Sequence, residues 1–332
     1  MKRRTPDPET EIRSIVEEIV GRLSPNKGVI ALRKEASRFA TTARLWELRV
    51  TLNDGTTLPM IHKESGRSAR LQGAPRPVPH LYDPKREIGV YERLLANREL
   101  DTPRLYASVV APRRGRYWMF LERVPGIQLR WAAQASAWHR AAAWLATAHA
   151  ALHSGEEATA AALLTHDARY YRRWLRRAQS LAERSDRKRR TRLAWLASHY
   201  DEVVDILVGL PRTVIHGEFY PSNIIVDEST QNGRISVVDW EMAAVGPAVT
   251  DLAALTGGRL SSAEREAILA TYHKARPSNR GRSEWFGPEA LACARLQFAV
   301  QWMGWARDWS PPEEQRHDWL AEAVELGETM GW

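Results

Sequence analysis

Three oxygen-bearing side chains late in this 332-residue chain are spaced as a metal-assisted site requires. Glu218 and Asn223 sit five residues apart in a short polar loop, HGEFYPSN, and Asp239 follows in VVDWE. Between them, residues 224–226 read as a short strand, Asn232-Gly233 as a turn signal, and residues 235–238 as a buried return strand. An antiparallel return sets the start of one strand beside the end of the next, which makes neighbours of Asn223 and Asp239. An amide oxygen and a carboxylate are hard ligands of the kind Mg²⁺ accepts while keeping water and phosphate oxygens as its others. Glu218 beside such a metal is a candidate general base. Alone, each residue has an ordinary reading: an Asn in a turn, an Asp at a cap. Their order and spacing instead outline a phosphoryl-transfer site.

HGEFYPSN, VVDWE and GPAVTDLA together resemble the aminoglycoside phosphotransferase family of the protein-kinase-like superfamily. Members of that family carry HGD-x4-N, a strand ending in IDW, and a DLA that opens a helix. The resemblance implies an α+β, bilobal protein-kinase-like fold, with a small β-sheet N-lobe and a larger, mainly helical C-lobe. It implies that His216 braces the catalytic loop, that Asn223 and Asp239 hold Mg²⁺, and that Asp251 buttresses the loop. The chain departs from the pattern at one point: Glu218 stands where the family has an aspartate base.

Such a site needs an upstream half. Residues 44–52 (RLWELRVTL) alternate like a strand, Asn53-Asp54-Gly55 reads as a hairpin turn, and residues 58–63 form the return. Lys63, at the end of that return, fits the lysine that holds the nucleotide's α- and β-phosphates. PKREIGVYERLLA then predicts an amphipathic helix with Ile88, Tyr91, Leu94 and Leu95 on one face. Glu87 opens it and resembles the family glutamate that pairs with the lysine; Glu92 lies on a different face. The turn after the first predicted strand (29–33) has no glycine, although glycine is what lets backbone approach phosphate closely. Ser37 is the candidate phosphate contact there, with a plain turn serine as the alternative. The apolar run YWMFL predicts a strand buried on both faces. It leads into Glu122, Arg123 and Val124, and the resemblance implies that the backbone of Glu122 to Val124 binds the purine of ATP or GTP. Pro125-Gly126 then breaks the chain between lobes.

The lobes so predicted are residues 1–123 and 124–332. The N-lobe opens with an amphipathic helix bearing Ile12, Ile15, Val16, Ile19, Val20 and Leu23. In the C-lobe, residues 128–154 predict one long helix. His149 and His153 in it are spaced like a metal pair, but they read as core residues because no third ligand is near. Trp285, Trp302, Trp305, Trp309, Trp319 and Trp332 crowd the late C-lobe, and the helical spacing of Phe298, Trp302, Trp305 and Trp309 makes a core stripe first and a pocket wall second. Ser310-Pro311-Pro312 breaks that stripe before a last helix over 313–330.

Length and a 44% apolar content suit a folded two-lobed chain and argue against disorder. One cysteine, Cys293, rules out an internal disulfide, and the basic N-terminus lacks the apolar segment of a signal peptide; both point to the cytoplasm. The segment 291–306 is too short and polar to span a bilayer. The formal charge is +8, and residues 161–200 hold all of it, with eleven Lys/Arg against three acids. This concentration, from Arg169 to Arg192, is either a solvated helix face or a surface for an anionic partner. Nucleic acid fits least, because no binding motif accompanies the charge. Two functions follow: an ATP-dependent kinase acting on a hydroxyl of a small molecule or peptide, or a kinase-like scaffold acting with a partner enzyme on a peptide natural product.

Overall fold

The computed structural model describes residues 7–72, 74, 78, 80–96, 98–152, 155, 158–159, 161–182, 186–229, 233–258, 260–277, 286–307 and 317–332. The chain divides into two compact units, Met1–Ala74 with Pro103–Pro125, and Pro75–Thr102 with Gly126–Trp332. Asn232, His153, Trp285, Trp309 and the break at residues 310–312 lie outside the described residues.

The first unit is a five-stranded antiparallel sheet in the order β1-β2-β3-β5-β4. Its strands are β1 (Val29–Ala36), β2 (Leu45–Leu52), β3 (Thr57–Glu64), β4 (Leu105–Ala111) and β5 (Arg116–Glu122). The β2–β3 turn forms as its sequence predicts: Gly55 takes a positive φ of 81°, and Asp54 accepts the Thr56 N–H at 3.0 Å. Helix α1 (Pro8–Leu23) starts with the Asp7 carboxylate accepting the Glu9 N–H and a proline in its first turn. It lays Ile12, Val16, Ile19 and Val20 against Leu48, Val50, Met60, Trp118 and Phe120. Burial of each such side chain stabilises by about 1.5–3 kcal/mol. In β5, Trp118 through Leu121 are all buried, as a strand in the sheet interior should be.

The second unit begins with helix α2 (Arg86–Gly89), which continues as a π turn over Val90–Leu95. Ile88, Tyr91, Leu94 and Leu95 are buried on its apolar face, whereas Glu92 is exposed. Gly126 then takes φ 118°, with the carbonyl oxygen of Val226 only 2.3 Å from where a Cβ would stand. That close approach lets β6 (Ile127–Gln128) add to the hairpin of β9 (Ile224–Asp227) and β10 (Arg234–Val237). The long helix predicted from residue 128 therefore starts later, as α3 (Ala135–Ala151), because Gln128 is engaged in that strand pairing. A second small sheet orders β7 (Leu164–Thr165), β11 (Ala244–Pro247) and β8 (Arg212–Ile215). The remaining helices are α4 (Ala168–Ala182), α5 (Arg187–Gly209), α6 (Val249–Thr256), α7 (Ser262–Ala275), α8 (Pro288–Trp305) and α9 (Trp319–Thr329). Helix α8 is buried on several sides, with α4, α5, α6 and α9 packed on it. Among the described residues, no helix is long and apolar enough to cross a membrane.

Candidate active site

The loop after β8 is a turn that only glycine fits at its second residue. Gly217 takes φ 83°, and a Cβ there would stand 2.3 Å from the carbonyl oxygen of Met242. Asp251, fully buried in the first turn of α6, accepts the His216 N–H at 2.7 Å and the Gly217 N–H at 2.9 Å. His149 brings its Nε2 to the same carboxylate at 3.1 Å and its Nδ1 to the Tyr272 hydroxyl at 2.9 Å. Burial alone would raise the Asp251 pKa, but hydrogen bonds from His149 and from the His216 backbone N–H hold it below the ordinary carboxylate range. The loop is thus tied to an ionised carboxylate through its own backbone.

His216 carries the brace across the site. Its Nε2 faces the Val238 carbonyl at 3.0 Å and so bears the proton; its Nδ1 accepts the Glu218 N–H at 3.3 Å. The ring packs against Trp240 and Phe219, both fully buried, which fixes its plane. One imidazole therefore spans Glu218 on one side and the residue preceding Asp239 on the other.

The hairpin supplies the rest. Its register runs from Arg234 opposite Asp227 to Val237 opposite Ile224, and the Val238 N–H donates to the Asn223 carbonyl at 3.0 Å. Asp239 comes next, in the left-handed region at φ 68°, ψ 62°. A non-glycine residue held there costs about 1 kcal/mol or more, a strain that clusters at functional sites. Asn223 donates its Nδ2 to the Glu218 carbonyl at 3.0 Å, so its amide oxygen is the atom it can offer a cation. One amide oxygen and one carboxylate fit Mg²⁺, whose remaining ligands are water and phosphate oxygens. Glu218 is half-buried, and its Oε1 lies 3.4 Å from the Tyr220 hydroxyl. Burial first, then the Glu218 charge, push the Tyr220 phenol far above its ordinary range, so the hydroxyl stays protonated and donates.

The sequence-predicted residues thus fall into groups. Glu218, Asn223, His216 and Asp251 form one hydrogen-bonded constellation in the second unit, and its bond to the Val238 carbonyl reaches the residue before Asp239. Glu87, in the same unit, is buried at 3% exposure. Lys63 lies on β3 in the first unit, opposite Leu45 and Met119. Ser37, also there, donates its hydroxyl to Glu47 at 3.2 Å and accepts the Phe39 N–H at 3.4 Å. Glu122 gives its N–H to the Arg104 carbonyl at 2.8 Å, with Val124 two residues beyond the strand's end.

Other participants escaped the sequence reading. His149 looked like a core residue and is the side-chain partner of Asp251; the clue was its Leu-His-rich helix end, but nothing local names the carboxylate. Arg86, beside Glu87, is buried and donates to the carbonyls of Leu81 (2.8 Å), Ala162 (3.0 Å) and Glu241 (2.7 Å). It therefore clamps α2 to the segment directly after Asp239. Tyr220 was only a letter between Glu218 and Asn223.

Comparison with known proteins bears on the family and the fold. The profile of the phosphotransferase enzyme family matches residues 39–292. Among curated proteins, none matches the sequence. A microcompartment-associated aminopropanol kinase superposes with a TM-score of 0.61 at 13% identity, covering 90% of this chain and 89% of its own. The choline kinase LicA from Streptococcus pneumoniae superposes at 0.58 with 16% identity, covering 97% and 99%. The macrolide 2'-phosphotransferase MphH from Brachybacterium faecium superposes at 0.56 with 18% identity, covering 90% and 99%. At these identities the likeness is one of fold, and it is the bilobal, kinase-like α+β fold.

Proposed function

Because the chain belongs to the phosphotransferase enzyme family, we propose that it transfers the γ-phosphate of ATP or GTP to a hydroxyl of a small molecule or peptide in a Mg²⁺-dependent reaction. The observation that carries this reading is the His216 bridge, which links Glu218 to the strand end that presents Asp239. Asn223 and Asp239 are the residues to hold Mg²⁺, which supplies charge neutralisation for the transferring phosphoryl group. Glu218 accepts the proton of the attacking hydroxyl, while Asn223 and His216 hold its backbone in place. In the first unit, Lys63 is assigned to the nucleotide phosphates, and Ser37, in the loop after β1, to a phosphate contact. With the Glu122 N–H already spent on Arg104, the purine's donor falls to Val124. Glu87 is the candidate partner of Lys63. A single buried cysteine suits a reducing cytoplasm.

The glutamate in place of the usual aspartate favours a second reading, a kinase-like scaffold with little transfer, acting with a partner enzyme on a peptide. Magnesium-dependent nucleotide binding and turnover against a panel of hydroxyl acceptors separate the two. Asp239→Ala is expected to abolish the magnesium-dependent part of nucleotide affinity, measured by calorimetry, with the fold intact. Unchanged affinity in that variant would sink the metal assignment.

A further inference from the structure

Among the described residues, two that are not glycine take a positive φ: Ala162 at 55° and Asp239 at 68°. Nothing in the sequence relates them. Ala162 sits in the turn ahead of β7, and Asp239 is the proposed metal ligand. One side chain nevertheless reaches both segments. Arg86 donates from Nε to the Ala162 carbonyl at 3.0 Å, and from Nη1 to the carbonyls of Glu241 at 2.7 Å and Leu81 at 2.8 Å. It is 4% exposed, and its three acceptors are backbone carbonyls of three separate segments. A guanidinium can do this because its planar fork aims several N–H groups in fixed directions. An apolar side chain would fill the same place without the desolvation cost of a charge, so what sets the cation apart is what it holds.

Glu241 is the middle residue of a short 3₁₀ turn, Trp240–Met242, that Asp239 opens. The Ala243 N–H closes that turn on the Trp240 carbonyl at 3.1 Å. So short a turn has few free dihedrals, and holding the Glu241 carbonyl restrains Asp239 two residues before it. The segment is also tied directly to the Ala162 turn, because the Leu164 N–H donates to the Ala243 carbonyl at 3.0 Å. Helix α2 lies close on the same turn: a Cβ at Gly89 would stand 3.0 Å from the Ala161 Cα. All of these residues belong to the second unit. Backbone strain of the kind seen at Asp239 persists only where its surroundings over-determine it. Arg86 is a side chain placed to do so.

We propose that Arg86 is a positioning residue for the metal site: its guanidinium holds the turn after Asp239 so that this residue keeps the left-handed backbone from which its carboxylate meets Mg²⁺. This rests on the metal assignment in the phosphotransfer reading above. Arg86 acts through the Glu241 peptide and touches neither the cation nor the nucleotide. Without the clamp, Asp239 relaxes toward an unstrained conformation, and metal binding must restore the strained one. The loss therefore falls on the metal-dependent part of nucleotide binding and leaves the metal-free part alone.

The test is calorimetric binding of a non-hydrolysable ATP analogue to the full chain, with Mg²⁺ titrated and again in EDTA. Two variants remove the clamp: Arg86→Gln, and Arg86→Lys, which keeps the charge but not the fork. In both, the Mg²⁺ concentration that half-restores tight binding should rise by about fivefold or more, the lower bound of what one left-handed residue is worth. Affinity in EDTA should stay within about twofold of wild type. Leu94→Ala is the control, since it loosens the buried face of α2 without touching the three carbonyls. It should lower Tm and leave the Mg²⁺ requirement within about twofold. If the Gln variant does not fold, the Lys variant carries the comparison. An unchanged Mg²⁺ requirement in Arg86→Lys, or an equal rise in Leu94→Ala, would overturn the positioning role alone. A wild type whose analogue binding ignores Mg²⁺, or an Asp239→Ala variant that needs it as wild type does, would instead sink the metal assignment and this role with it.

Discussion

Glu218 differs from an aspartate by one methylene, and the extra length brings its Oε1 to the Tyr220 hydroxyl. A base held by a protonated phenol is oriented without losing its charge. Glu218→Gln is therefore expected to slow transfer by about 10²–10³, the lower part of the range for a positioned base, because loose phosphoryl transfer asks little of the base until late. Nucleotide affinity should hardly move. Glu218→Asp should also lose rate, since the shortened stem withdraws the carboxylate from both Tyr220 and the hydroxyl. Single-turnover measurements check both, and a Gln variant at the wild-type rate would remove Glu218 from the mechanism. At this scale the spacing of the hairpin was informative about where Asn223 and Asp239 lie, whereas His216 and Asp251 were expected only from the family resemblance. Tyr220, His149 and Arg86 were illegible for a common reason: their partners lie on other elements, and no local pattern declares a contact 102 residues away, as between His149 and Asp251.

Among the elements, the catalytic loop depends on a turn that tolerates no side chain. In Gly217→Ala the added methyl meets the Met242 carbonyl, and the positive φ strains any L-residue. The expected loss is about 2 kcal/mol or more of stability together with most of the transfer rate. Thermal unfolding alongside the transfer assay measures both, and an Ala variant with unaltered Tm would mean that the loop relaxes freely. The β9–β10 hairpin was readable because alternation and a turn signal fix register over a few residues. The start of α3 was not. Its alanine-rich run carries helix propensity back toward Gln128, and only the pairing of β6 with β9 stops it. Likewise, α2 follows its predicted apolar face, yet the π winding of Val90–Leu95 has no sequence signature.

For the molecule as a whole, charge and burial pull in opposite directions with pH. His62 is fully buried, stacked on Phe120, and neither ring nitrogen has a hydrogen-bond partner among the described residues. Burial first, then Lys34, lower its pKa from 6.5 to about 3. The unfolded chain therefore binds a proton between those values that the folded chain refuses. Stability is complete above the unfolded pKa and falls as pH drops toward the folded one. Between pH 7 and pH 5 this one residue should cost about 2 kcal/mol. His166, fully buried with a pKa also lowered to about 3, acts in the same direction. His62→Phe, which keeps the stack and cannot titrate, should flatten the pH dependence, and chemical denaturation at the two pH values measures it. An equal slope in both proteins would show that His62 is not the source.

The neighbouring residue on β3 gives that burial another meaning. His62 points into the cluster under α1, so Lys63 must point the opposite way. Sliding β3 by one position along β2 and β5 would exchange them, driving an ammonium among Trp118, Phe120 and the apolar face of α1. An unpaired charge there costs at least several kcal/mol, far more than a neutral imidazole does. The lysine assigned to chemistry thus also weighs against a shifted alignment of its own strand.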